Sequence, residues 1–163
     1  MEEEAKYGDI KLPDLLKDKY IELDLKEKEK PKLIAELVDM VAKPSRIKDR
    51  KAIFEAILER EKLGSTAIGN GVAIPHAKIK GIKKPLLILG RSTEGVNFDS
   101  LDGEKTYLFF MLISPQKEVG PHLKILAKIS HLVKDKFVVE RLKKIKDKHE
   151  IFEIISDFER YFK

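Results

Sequence analysis

The sequence predicts an α/β sandwich, a single domain in which one mixed β-sheet is covered by helices. Three observations carry that reading. Two amphipathic helical stretches come first, a Gly-Asn-Gly hairpin and two longer strand-type runs follow, and the helical period returns from Pro121 to the end. A hairpin set among longer crossovers requires strands running in both directions. The 163 residues suit one compact unit, residues 1–163, with a core expected from about 10 to 158.

Each element has its own signal. LPDLL at 12–16 reads as a short helical turn, and YIELDL at 20–25 alternates like a half-buried strand. From Lys30 the apolar positions Leu33, Ile34, Leu37, Val38 and Val41 recur at helical spacing, with Pro31 near the first turn, where a missing N–H costs nothing. Lys43-Pro44-Ser45 breaks that helix, and a second runs from about Asp49 to Lys62 around Ile53, Phe54, Ile57 and Leu58. In STAIGNGVAIPHAK, two short strand-type runs, Thr66–Ile68 and Val72–Ile74, flank Gly69-Asn70-Gly71, which supplies the positive φ angles of a tight turn. Leu86–Arg91 and the nearly unbroken apolar run Tyr107–Ile113 read as longer strands, the second central and buried on both faces. Helices are expected from Pro121, over about Lys136–Ile145, and over about Asp147–Phe162.

Composition removes several classes of chemistry. The absence of cysteine excludes a disulfide framework, a thiolate metal site and a thiol nucleophile or phosphate carrier within this chain. No apolar run approaches the ~18 residues that span a bilayer, and the start, MEEEAKYGD, is acidic where a secretion signal would be basic, so a cytoplasmic protein is expected. The net charge of +5 arises from 33 basic and 28 acidic residues that are mixed along the chain, a weak nucleic-acid signal. Residues 134–148 are the exception, with seven Lys or Arg against three acids: a solvated helix face or a patch for an acidic partner.

The four histidines separate by helical geometry. His122 shares a face with Leu126, Ile129 and Val133, at the start of an inward stripe, whereas His131, nine residues on, falls about half a turn away. His149 stands opposite Phe158 in the same way, so both read as solvated. His76 follows Pro75 at the exit of the hairpin, on stiff backbone. With Asn70 at the tip, Thr66 falls opposite Ile74 and Gly64 opposite His76, which returns His76 to the end of the preceding helix, where Arg60 occupies the last turn. Each residue also has an ordinary structural reading. His76 could simply bond a loop, and Arg60 could complement the helix dipole and pair with Glu59 or Glu61. Taken together, an imidazole, a permanently charged bidentate donor and a second imidazole beside unpaired helix N–H groups suit a phosphoryl group. Zinc would need three close ligands, with Asp99 or Asp102 joining His76 and His122.

GSTAIGNGVAIPHAK, with EREKLGST ahead and HLKILAKIS behind, resembles enzyme IIA of the fructose-mannitol branch of the bacterial sugar phosphotransferase system, including its nitrogen-regulatory members; the similarity runs from about Ile10 to Asp157. The resemblance implies an α/β fold and a histidine phosphoryl relay without metal or small cofactor. It implies that His76 is phosphorylated, that Arg60 assists and that His122 neighbours it in the pocket; Asn70 is expected to add a backbone or amide donor to the phosphate. The donor implied is the histidine-containing phosphocarrier protein. The acceptor is a separate enzyme IIB, since no cysteine-bearing unit is present in this chain, or a protein regulated by the phosphorylation state. Ser100 stands where alanine is common in the family's Phe-Asp-Ala loop. An apolar docking surface around His76 is expected, with Val72, Ile74 and Ile79 as candidates that equally suit the core. The rivals are a regulatory binding switch without sugar transport, a metal-dependent hydrolase using His76 and His122, and a nucleic-acid binder using residues 134–148.

Overall fold

The computed structural model describes residues 10–42 and 50–161; the expected break at Lys43-Pro44-Ser45 lies outside them. Leu12–Leu15 makes one turn, α1, with Pro13 in its first positions, and the chain passes straight into strand β1, Leu16–Glu22. That strand begins earlier than the YIELDL alternation suggested and stops short of Leu25. Helices α2 (Lys30–Ala42) and α3 (Arg50–Lys62) follow, close to their expected bounds. The hairpin strands β2 (Ala67–Gly69) and β3 (Val72–Ala73) turn through Asn70, at φ 56°. Next come β4 (His76–Ile79), β5 (Leu86–Val96) and β6 (Thr106–Pro115), and then α4 (Val119–Leu132), α5 (Lys136–Lys144) and α6 (Lys148–Tyr161).

All six strands form one mixed sheet. The order is β1-β5-β6-β3-β2, with β4 also paired to β6. β1 runs parallel to β5, β5 antiparallel to β6, and β3 and β4 parallel to β6, while the β2–β3 hairpin is antiparallel. The hairpin register agrees with the sequence, since Ile74 N–H donates to the Thr66 carbonyl at 3.0 Å. β4 is the unexpected strand. Pro75 has no N–H to give to a ladder, so a sequence reading ends the run there. Its carbonyl nevertheless accepts from Leu112 N–H at 2.9 Å, and the chain re-enters the sheet with His76 beside Leu112 and Lys78 beside Ser114.

β6 is central and apolar on both faces because both faces are covered. Leu108, Phe110 and Leu112 pack with α1, α4, α5 and α6, whereas Phe109, Met111 and Ile113 pack with α2 and α3. The same alternation sorts β4. Ile79 and Ala77 face the α2–α3 layer, so His76 and Lys78 face the layer that contains α4. Val72, Ile74 and Ile79 are all buried, which makes them core and removes them as a docking surface.

Gly90, in β5, allows the α2 layer to close on the sheet. A Cβ built there would stand 2.7 Å from Leu25 Cδ1 and 2.8 Å from Leu37 Cδ2, both on fully buried side chains. Overpacking of this kind costs about 1–3 kcal/mol. Gly90→Ala is therefore expected to lower the unfolding free energy measured in urea by an amount in that range; an unchanged unfolding free energy would show that the layer is looser than described.

Candidate functional site

The site forms where β4 leaves Pro75 and where β6 delivers the chain to α4. The His76 and His122 rings stand 5.6 Å apart between centroids, tilted by 51°. His76 is half-buried, and its Nδ1 lies 2.7 Å from the Ile74 carbonyl. A carbonyl only accepts, so Nδ1 carries the proton and Nε2 keeps its lone pair. Burial holds the His76 pKa below the usual imidazole value, with the Arg60 guanidinium acting in the same direction and the Ile74 bond opposing both. The ring is thus neutral at physiological pH, in the tautomer a nucleophile at Nε2 requires.

His122 lies in the first turn of α4, which begins at Val119, two residues ahead of the expected start at Pro121. It is buried, and its Nδ1 is 2.7 Å from the Ser114 hydroxyl. Burial first, and then the neighbouring His76 and Lys78, pull its pKa down to about 4. Lys78 is exposed and stands beside Ser114 on the ladder.

Arg60 arrives from the last turn of α3, where Nη1 donates to the Gly64 carbonyl at 2.9 Å. Among the described residues neither neighbouring carboxylate pairs with it, in contrast to the ordinary reading of the sequence. Glu59 binds Lys62 at 2.9 Å, and Glu61 turns inward to Lys30 at 2.8 Å. The guanidinium therefore keeps its charge and its remaining N–H donors for another anion. Glu61 is buried, accepts from Thr66 N–H at 3.2 Å and is bonded by the Thr66 hydroxyl. Those bonds fasten the end of α3 to β2, while Lys30 fastens it to α2, and so they fix where Arg60 starts. The sequence offered only a carboxylate next to Arg60 as a hint; its Lys30 partner lies 31 positions away, and no local pattern marks it.

Asn70 is not brought to this pair. From Val72 beside Leu108 to His76 beside Leu112 the chain advances four residues along β6, about 13 Å, and Asn70 lies beyond Val72. Its N–H donates to Asp102 Oδ2 at 3.2 Å, in a groove shared with Tyr107 and Lys143. Asp102 is occupied there, and Asp99 is 3.5 Å from Lys30 Nζ, so neither joins the histidines. Among the described residues no three His, Asp or Glu side chains are grouped to hold a metal ion. His131 and His149 are exposed.

The family model "Phosphoenolpyruvate-dependent sugar phosphotransferase system, EIIA 2" matches residues 14–158. The chain belongs to this family. It is an EIIA-type phosphotransferase component, a phosphoryl carrier. It is 36% identical over 151 residues to the fructose-specific EIIABC component of Bacillus subtilis, covering 93% of this chain and 24% of that protein, so it spans about a quarter of that relative's length. The nitrogen regulatory protein IIA-Ntr of Neisseria meningitidis, a crystal structure, superposes with a TM-score of 0.83 at 33% identity over 88% of this chain and 98% of that one. The Escherichia coli complex of enzyme IIAMTL and phosphorylated enzyme IIBMTL shares the EIIA fold, with a TM-score of 0.74 at 22% identity over 88% and 99% of the two chains.

A folded pKa of about 4 against 6.5 for the free side chain gives a definite sign. As pH falls below 6.5 the unfolded chain takes up this proton first, so stability declines from there and the loss is complete only below about 4. An NMR titration of the His122 ring is expected to show its midpoint near 4, and His122→Gln is expected to flatten the stability-versus-pH curve between those values. A midpoint near 6.5 would contradict the buried, cation-flanked placement.

Proposed function

We propose that His76 accepts a phosphoryl group on Nε2 from the phosphohistidine of a histidine-containing phosphocarrier protein and passes it to a separate enzyme IIB. The observation that carries this reading is the pairing of a neutral, Nδ1-protonated His76 with a second ring 5.6 Å away, beside a guanidinium that no neighbouring carboxylate neutralises. The Nε2 lone pair attacks phosphorus, the donor's N–P bond breaks, and its electron pair returns to the donor imidazole. No proton has to move. Charge builds on the His76 ring as the new bond forms, and the Nδ1–H bond to the Ile74 carbonyl strengthens to stabilise it.

The transition state spreads negative charge over three equatorial oxygens, so catalysis is positioning and charge compensation. Arg60 supplies charge-assisted hydrogen bonds, and the second ring supplies a neutral one. Asn70 takes no part in the site proposed. The partner surface is the apolar ground beside these groups: Leu63, 85% exposed in the turn after Arg60, with Val119 and Leu123 flanking His122 on α4. These replace Val72, Ile74 and Ile79 as the residues a carrier protein would cover. A transient relay of this kind works in the cytoplasm, and no helix among the described residues is long and apolar enough to cross a membrane. Relatives carry both fructose-specific and nitrogen-regulatory names, and delivery to an enzyme IIB is the step that separates transport from a purely regulatory switch.

Incubation with phosphoenolpyruvate, enzyme I and the phosphocarrier protein is expected to add one acid-labile phosphoryl group, read by intact mass and mapped to His76. His76→Ala removes it. Arg60→Ala is expected to slow the transfer by about ten- to hundredfold, the equivalent of one charge-assisted hydrogen bond, with the melting temperature nearly unchanged. Label on His122, or none at all, would overturn the assignment.

A further inference from the structure

We infer that Ser114 is a positioning residue: its hydroxyl donates to Nδ1 of His122 and so keeps that ring's proton on Nε2, the edge left to bond a phosphoryl oxygen. The phosphoryl part of this inference rests on the function proposed above; the hydrogen-bond assignment does not.

Ser114 interrupts the apolar run YLFFMLI near the end of β6, and its side chain is fully buried. The strand alternation that points Leu112 into the α4 layer also points Ser114 there, two residues on, with its Oγ 2.7 Å from His122 Nδ1. Among the described residues this is the one hydrogen bond the hydroxyl makes. Two arrangements of the shared proton are possible. If Nδ1–H donated to Ser114, the serine's own O–H would be buried without an acceptor, which costs about 1–3 kcal/mol. If Ser114 donates, both atoms of the pair are satisfied, because a neutral imidazole has one acceptor nitrogen and Nδ1 fills that role. His122 is neutral at physiological pH, its pKa being held near 4 by burial and by the neighbouring His76 and Lys78, so a doubly protonated ring does not arise.

The two rings therefore carry opposite tautomers. His76 has its proton on Nδ1, tied to the Ile74 carbonyl, and offers a lone pair at Nε2. His122 has its lone pair at Nδ1, tied to Ser114, and offers a proton at Nε2. One ring forms the bond to phosphorus, while the other donates to an oxygen of the same group. With the proton on the wrong nitrogen, His122 would present a lone pair to an anion and repel it. Serine does here what a backbone carbonyl does for His76, with the opposite polarity, and in each case a single buried oxygen decides the chemistry of a ring.

The test uses the full-length, 15N-labelled, unphosphorylated protein near pH 7. Long-range proton–nitrogen correlation spectra are expected to show His122 protonated on Nε2 and unprotonated on Nδ1. A proton on Nδ1 would overturn the inference, whatever the phosphorylation assay gives. Ser114→Ala is expected to shift the ring toward the Nδ1–H tautomer and to slow phosphoryl acceptance from the phosphorylated carrier by about tenfold, a neutral hydrogen bond's worth. Ser114→Thr, which keeps the hydroxyl, is expected to restore both the spectrum and the rate. A Ser114→Ala protein with the wild-type tautomer and rate would also overturn it. If the wild-type spectrum is as expected and His76 takes no phosphoryl group, the functional reading fails while the role of Ser114 in setting the tautomer stands.

Discussion

The parallel register of β4 on β6 is the constraint from which the rest of the site follows. Leu112 N–H bonds the Pro75 carbonyl, and His76 then lies beside Leu112. β6 ends three residues later and leads into α4. A single ladder thus brings two imidazoles that are 46 positions apart in sequence to within ring contact. A slip of one residue would send His76 into the α2–α3 layer and Ala77 toward His122, because side chains alternate across a sheet. Apolar packing opposes that slip, since Ala77 and Ile79 of β4 belong with the cluster on the α2–α3 face. Leu108, Phe110 and Leu112 belong to one face of β6, and Phe109, Met111 and Ile113 to the other.

Around this ladder the site is assembled from element ends. Arg60 is on the last turn of α3, His76 opens β4, Ser114 nearly closes β6, and His122 is in the first turn of α4. Element ends leave backbone groups without intrahelical partners; of these four side chains Arg60 and His76 are half-buried, while His122 and Ser114 are buried. The buried carboxylate Glu61 shows how such an end is made rigid. Bonded to Thr66 and paired with Lys30, it holds the α3 terminus against both the sheet and α2, while the adjacent Arg60 stays unneutralised. Breaking a buried pair of this kind by removing one partner typically costs about 3–5 kcal/mol, so the positional accuracy of Arg60 is tied to the stability of the fold.

Much of this was legible in the sequence, and the parts that were not share a physical reason. The helices, the hairpin and the two long strands followed from local periodicity and turn chemistry, because each is decided by residues within one element. The return of His76 toward the end of α3 was read from hairpin register, which the structure follows as far as Ile74 opposite Thr66; beyond Pro75 the ladder on β6 takes over. β4 was not legible, since Pro75 argues against a ladder and only pairing to β6 supplies the evidence for one. The Glu61–Lys30 pair and the Ser114–His122 bond depend on tertiary contacts that no spacing encodes, whereas Asn70 at the hairpin tip was already placed away from His76 by the turn itself. Val72 and Ile74 suited a surface or a core equally well by pattern, and burial against α4, α5 and α6 decided for the core.

In the proposed relay the Ile74 carbonyl holds the His76 proton on Nδ1 and leaves Nε2 as the attacking atom. Phosphorus–nitrogen coupling in the 15N-labelled, phosphorylated protein reads which ring nitrogen bears the phosphoryl group. The account predicts coupling to Nε2 of His76; coupling to Nδ1 would contradict it, because that nitrogen would have had to surrender both its proton and its bond to Ile74.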